Sequence, residues 1–118
     1  MLHEVDPKEA IFKDIGDLSD YDCGDELLVA IYQRPEKTQG GIVLVPKNRE
    51  EDWYQSKAHL VVKVGSLCTF PFLKPQVGDW VVIRPSDANF SLDIRNVRCR
   101  HAHPKFVRAI IKDPTIIW

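Results

Sequence analysis

Long hydrophobic runs are missing from this chain. The most extended, residues 27–32, falls far short of the roughly 20 apolar residues that a membrane-crossing helix needs, so no membrane partner is expected. Charge of one sign does not accumulate either: 16 Lys and Arg face 17 Asp and Glu for a net charge of −1, and the one short charged stretch is Arg49-Glu50-Glu51-Asp52. Phosphate binding needs a concentrated basic face, so nucleic acid is not expected as a partner. The small group Arg95, Arg98 and Arg100 reads as a solvated strand face. Cysteine is scarce, with Cys23, Cys68 and Cys99 far apart and odd in number, which gives no disulfide framework and suits a reducing compartment. Residues 1–6 are acidic where a secretory signal would be basic, so a cytoplasmic setting is expected. Glycine is sparse as well, standing singly or as the pair Gly40-Gly41, and no phosphate-cradling loop, nucleophile elbow or helical His pair with an intervening Glu is found. These absences leave neither an enzyme nor a cofactor to expect.

What is present suits one soluble domain. Apolar residues make up 44% and charged residues 28% of 118 residues, a length that buries about two-thirds of the unfolded surface. A short amphipathic helix is predicted over residues 6–15: Asp6 can cap it, Pro7 suits its first position, Glu9 completes a capping-box pattern and Gly16 can end it. Ile11, Phe12 and Ile15 then share a face. Residues 1–25 read as an arm carrying this helix, with an acidic, turn-prone linker at 17–25, and residues 26–118 as the main body. That body consists of short β-rich runs punctuated by Gly, Pro and Asp, predicting an all-β barrel or sandwich. Strands are expected over 27–33, 42–45, 59–64, 80–84, 91–94, 97–103, 106–111 and 115–117, with Val77-Gly78-Asp79 turning into a buried strand at Trp80.

Few residues stand out as candidates for chemistry or contact. Cys99, His101 and His103 alternate along a predicted strand and would face one side, as metal ligands must, but no fourth ligand is evident and solvated or packed histidines are the simpler reading, so no metal is assigned. Trp53 and Tyr54 follow a charged run and are either interface anchors or core residues. Ile116, Ile117 and Trp118 form either a closing strand or one offered to a neighbouring subunit, and the helix face of Ile11, Phe12 and Ile15 is a second possible subunit interface. Residues 36–46 read Glu-Lys-Thr-Gln-Gly-Gly-Ile-Val-Leu-Val-Pro: a polar, glycine-hinged stretch delivering four aliphatics, which is either a buried strand or a hydrophobic hook for a partner.

The order of these features resembles the GroES-type cochaperonins. A strand near Leu27 precedes a polar loop with Gly40-Gly41-Ile42-Val43-Leu44, which looks like that family's mobile loop. His59-Leu60-Val61-Val62-Lys63-Val64-Gly65 is similar to the family strand ending in Val-Gly, Gln76-Val77-Gly78-Asp79-Trp80-Val81-Val82-Ile83 to its Val-Gly-Asp strand, and Phe106-Val107-Arg108-Ala109-Ile110-Ile111 to its final strand. The resemblance implies a small, partly open β-barrel with a short N-terminal helical arm, assembled into a ring that is heptameric in that family. It also implies a chaperonin as partner, engaged by Ile42, Val43 and Leu44 with Gly40 and Gly41 as the loop's hinge, and no reaction catalysed. The arm, the charged and aromatic stretch 47–56, the short segment 66–76 and the tail 113–118 depart from the family pattern and read as added interaction surface. Divergent, extended sequences of this kind resemble those encoded by tailed phages. The setting is then a bacterial or infected host cytoplasm, or alternatively the virion, where the chain would serve as a capsid cement, decoration or head-tail component against capsid proteins.

Overall fold

The computed structural model describes residues 6–33 and 55–117. The described residues form an all-β fold with one short helix, near the N-terminus, whose full extent is described. In chain order it runs α1 (Pro7–Ile15), β1 (Leu27–Ile31), β2 (Ala58–Val64), β3 (Trp80–Val82), β4 (Phe90–Ile94), β5 (Val97–Ala102) and β6 (Ala109–Ile111). All six strands join one antiparallel sheet in the order β4-β5-β1-β2-β3-β6, so the sheet stays open between its edges β4 and β6. A bulge interrupts the β1–β2 register between Leu28 and Val29.

The central strand β1 is an unbroken apolar run because both of its faces are covered, which removes the need for polar alternation. Leu28 and Ala30 point into one cluster with Tyr32, Leu60, Val62, Trp80, Val97 and Cys99. Leu27 and Val29 point into the other with Val61, Val81, Ile83, Ala102 and Val107. The first face is roofed by α1, whose Ile15 is fully buried there while Ile11 and Phe12 pack partly buried around it. Burying Ile15 contributes roughly 1.5–3 kcal/mol. The second face is closed by Phe70 and Cys68 from the β2–β3 connection and Phe106 from the β5–β6 connection.

Helix α1 forms as expected. The Asp6 carboxylate accepts from Lys8 N at 3.0 Å, Pro7 fills the first turn, and Gly16, at φ 73°, donates its N–H to Phe12 O. A second stop was not legible. Arg95 and Asn96, both at positive φ (47° and 71°), make the two-residue turn between β4 and β5. From that turn Arg95 Nη1 donates to the carbonyls of Ile15 and, at 2.9 Å, Asp17, satisfying acceptors left open at the helix end. Arg95→Ala is expected to cost about 1–2 kcal/mol. It should also speed amide exchange in α1 more than in β1 or β2; unchanged exchange in the helix would show that the clip is idle.

Three predicted strands differ in the structure. Residues 115–117 form no strand: Pro114–Ile116 is a 3₁₀ turn, because the Asp113 carboxylate accepts from Thr115 N at 2.9 Å and Thr115 Oγ1 at 2.6 Å, the local bonding that lets Asp compete with a ladder. The last strand starts at Ala109 and not at 106, since Pro104–Phe106 is likewise a 3₁₀ turn, capped by His103. A third such turn, Pro85–Asp87, cuts β3 short. The predicted strand 42–45 lies outside the described residues. Among the described residues, no helix is long and apolar enough to cross a membrane.

Candidate functional site

Residues 32–57 connect two adjacent antiparallel strands, β1 and β2, so the chain leaves and re-enters the sheet at one rim. Hairpins of this kind need only about 2–5 residues. The rim is closed by side chains that sequence reading did not single out. Tyr32 is fully buried, with its ring set edge-on to Trp80 at 5.5 Å, and its N–H donates to Ala58 O at 3.0 Å. Across from it, Ser56 is fully buried and its hydroxyl lies 2.8 Å from Tyr32 O and 3.3 Å from Ala58 O. The two stems of the connection are thus laced by a backbone and a side-chain bond.

Beneath them sits a buried pair of one cation and one neutral imidazole. His59 on β2 and Arg100 on β5 flank β1, and their side chains meet over it, Arg100 Nη1 donating to His59 Nε2 at 2.9 Å and to Ser56 O at 3.3 Å. The imidazole's other nitrogen, Nδ1, donates to Lys57 O at 3.0 Å. This bonding fixes the neutral tautomer, with the proton on Nδ1 and the Nε2 lone pair turned to the guanidinium. Burial, and secondarily the Arg100 charge, push the His59 pKa down to about 3. Burial likewise lowers the Arg100 pKa. Arg100 is only 4% exposed and so departs from the solvated strand face expected for the three arginines. Its period-2 placement with Ala102, opposite Cys99, was the available signal.

A second polar cluster lies at the other rim. Tyr21 Oη is 2.6 Å from His101 Nε2, His101 Nδ1 is 3.3 Å from Glu26 Oε1, Asn89 donates to the other Glu26 oxygen, and Phe90 stacks on the imidazole at 4.6 Å. A carboxylate, imidazole and hydroxyl in series have the order of a proton relay. Here burial raises the Tyr21 pKa, which keeps the phenol protonated and a poor nucleophile, and the array ties the 17–26 connection to β4 and β5.

The other singled-out residues scatter. Cys99 and His101 do share a face of β5, but Cys99 sits in the apolar cluster with its thiol pushed up to about 12 by burial, and His103 lies beyond the strand, its Nδ1 accepting from Lys105 N. Among the described residues, no three His, Cys, Asp or Glu side chains gather as a metal site would require. Ile117 packs partly buried on the α1 side, whereas Ile116 is exposed. Gly40, Gly41, Ile42, Val43, Leu44, Trp53, Tyr54 and Trp118 lie outside the described residues. Compared with known proteins, the chain matches no protein-family model and no curated protein.

Proposed function

We propose that this chain is a non-enzymatic, ring-forming cochaperonin that caps a chaperonin in a bacterial or infected host cytoplasm, its contact made by Ile42, Val43 and Leu44 with Gly40 and Gly41 as hinge. The observation that supports this reading most is the clasped rim. A connection much longer than its hairpin requires, with both stems tied by Tyr32, Ser56, His59 and Arg100, suits a loop whose sequence is kept for a partner and not for the core. Weak contacts repeated around a ring add by multivalency, so one modest triplet per copy suffices. Open edges at β4 and β6 leave backbone groups for neighbouring copies.

The test is capture by a bacterial chaperonin in the presence of nucleotide. Wild type is expected to be retained, and Ile42→Asp to lose more than about tenfold of the binding. Binding undiminished in that variant would refute the contact.

The exposed apolar side chains Leu67, Phe72 and Val77 favour a second reading, a structural component of a phage particle that uses the same barrel against capsid proteins. Native mass separates the two: a closed ring free in solution belongs to the first, and a chain that assembles only on a preformed shell to the second.

A further inference from the structure

The Arg100 and His59 pair lies where the sheet would accept apolar side chains. Each residue stands two positions along its strand from a member of the second apolar cluster, Ala102 on β5 and Val61 on β2, and so points to the same covered face. His59 is fully buried and Arg100 nearly so. Taking a guanidinium out of water is costly, and apolar side chains of similar volume in place of a buried polar pair are often neutral or stabilising. What they would not supply is the bonding to the second stem of the β1–β2 connection. Arg100 Nη1 donates to Ser56 O at 3.3 Å and His59 Nδ1 to Lys57 O at 3.0 Å, where Ile83 N also donates at 2.9 Å. Ser56 in turn reaches the first stem, its hydroxyl 2.8 Å from Tyr32 O. A cation buried in the sheet is thereby linked, through Ser56, to both ends of the connection.

We infer that Arg100 and His59 are positioning residues for the partner contact: they fix the ends of the β1–β2 connection, so that the partner is met from a rigid rim. This rests on the cochaperonin reading and deepens it. Each residue whose backbone has to be fixed anew on docking weakens the contact by roughly five- to thirtyfold. A stem already fixed in the free protein is spared that loss. Neither side chain has to touch the partner, and both are too buried to do so. Stability and partner affinity are then separable, because an apolar pair can satisfy the sheet while leaving the stem loose.

The test is the paired variant His59→Leu with Arg100→Met in the full chain, which removes cation and acceptor together. Its melting temperature is expected to match or exceed that of wild type. Amide exchange should quicken about tenfold at Tyr32 and Ile83, whose N–H groups donate to Ala58 O and Lys57 O, and stay unchanged at Val61, whose N–H donates to Asp79 O. Capture by a bacterial chaperonin with nucleotide should fall by about tenfold. Ser56→Ala, which removes only the hydroxyl between the stems, should move both readouts the same way by about fivefold, and it carries the test if the paired variant does not fold. Unchanged exchange at Tyr32 and Ile83, or capture at the wild-type level in both variants, would overturn the positioning role. Capture that falls only in step with melting temperature would overturn it too, leaving the pair as a structural clip. The cochaperonin reading fails by different results: a wild type that is not retained, or an Ile42→Asp variant retained as well as wild type, removes that reading and the positioning role with it.

Discussion

Replacing Gly65 with alanine is expected to lower the melting temperature by ten degrees or more. A Cβ at this position would stand 2.1 Å from Gly24 O and 2.7 Å from Glu26 O, both backbone atoms that cannot swing aside as a side chain would. Those carbonyls are held where they are. Gly65 N donates to Glu26 O at 3.1 Å and Leu67 N to Gly24 O at 2.9 Å, so the start of the β2–β3 connection and the lead into β1 are stitched backbone to backbone. Making room means breaking that stitch. The cost is about 3 kcal/mol, the upper end for overpacking, and at about 4 °C per kcal/mol this is a large share of a domain's total stability of about 5–15 kcal/mol. Gly24→Ala is the control. It has an open space for the methyl group and only its φ of +65° to resist it, so about 1 kcal/mol is expected. Thermal melts of both variants decide the matter: a Gly65→Ala protein that melts within two or three degrees of wild type, or no lower than Gly24→Ala, would show that the two connections are not locked together.

Acid should unfold this protein earlier than its carboxylates alone would dictate. The imidazole of His59 titrates near 6.5 when unfolded and is driven to about 3 in the fold, chiefly by burial. A depressed folded pKa means that the unfolded state binds the proton more readily. The stability tied to neutral His59 is therefore fully present above pH 6.5, drains as the pH falls below it, and is gone near pH 3. At about 1.4 kcal/mol per unit the span is several kcal/mol, enough to be decisive for a domain of ordinary stability. Protonating Nε2 would also turn an N–H toward the Arg100 Nη1 that now donates to it. Denaturant titrations at successive pH values between 7 and 4 should show the unfolding free energy falling throughout. In His59→Leu that dependence should flatten, while stability at pH 7 drops by about 3 kcal/mol because Arg100 loses a buried acceptor. Equal pH slopes in wild type and His59→Leu would remove His59 as the cause.

Much of this scaffold was legible because local chemistry and tertiary demand agree along most of it. Asp6, Pro7 and Gly16 spell the start and end of α1, and the aliphatic runs at Leu27, Leu60 and Trp80 mark strands that the sheet keeps. The misreadings have physical causes. Residues 115–117 are β-prone in isolation, yet Asp113 and Pro114 favour a turn held by local bonds. Arg100 looks like surface because guanidinium usually is, and only the pairing of β5 with β1, opposite β2, shows that His59 lies within reach. The candidate rim was invisible for the same reason: Tyr32, Ser56, His59 and Arg100 belong to three separate stretches and acquire a shared role only through the strand order. Val64-Gly65 was recognised as a motif, but what its glycine does depends on Gly24, far away in sequence.

The laced stems of the β1–β2 connection also bear on how this chain can change over generations. Once Tyr32 and Ala58 are pinned together, the entropy of closing whatever runs between them grows only with the logarithm of its length, about 0.6 kcal/mol for each doubling. Closure entropy therefore sets little limit on the length of that connection, whereas a single atom added at Gly65 meets two backbone carbonyls. Over generations the length of the chain between those stems can drift at little entropic cost, while the sheet that holds the stems together keeps its geometry.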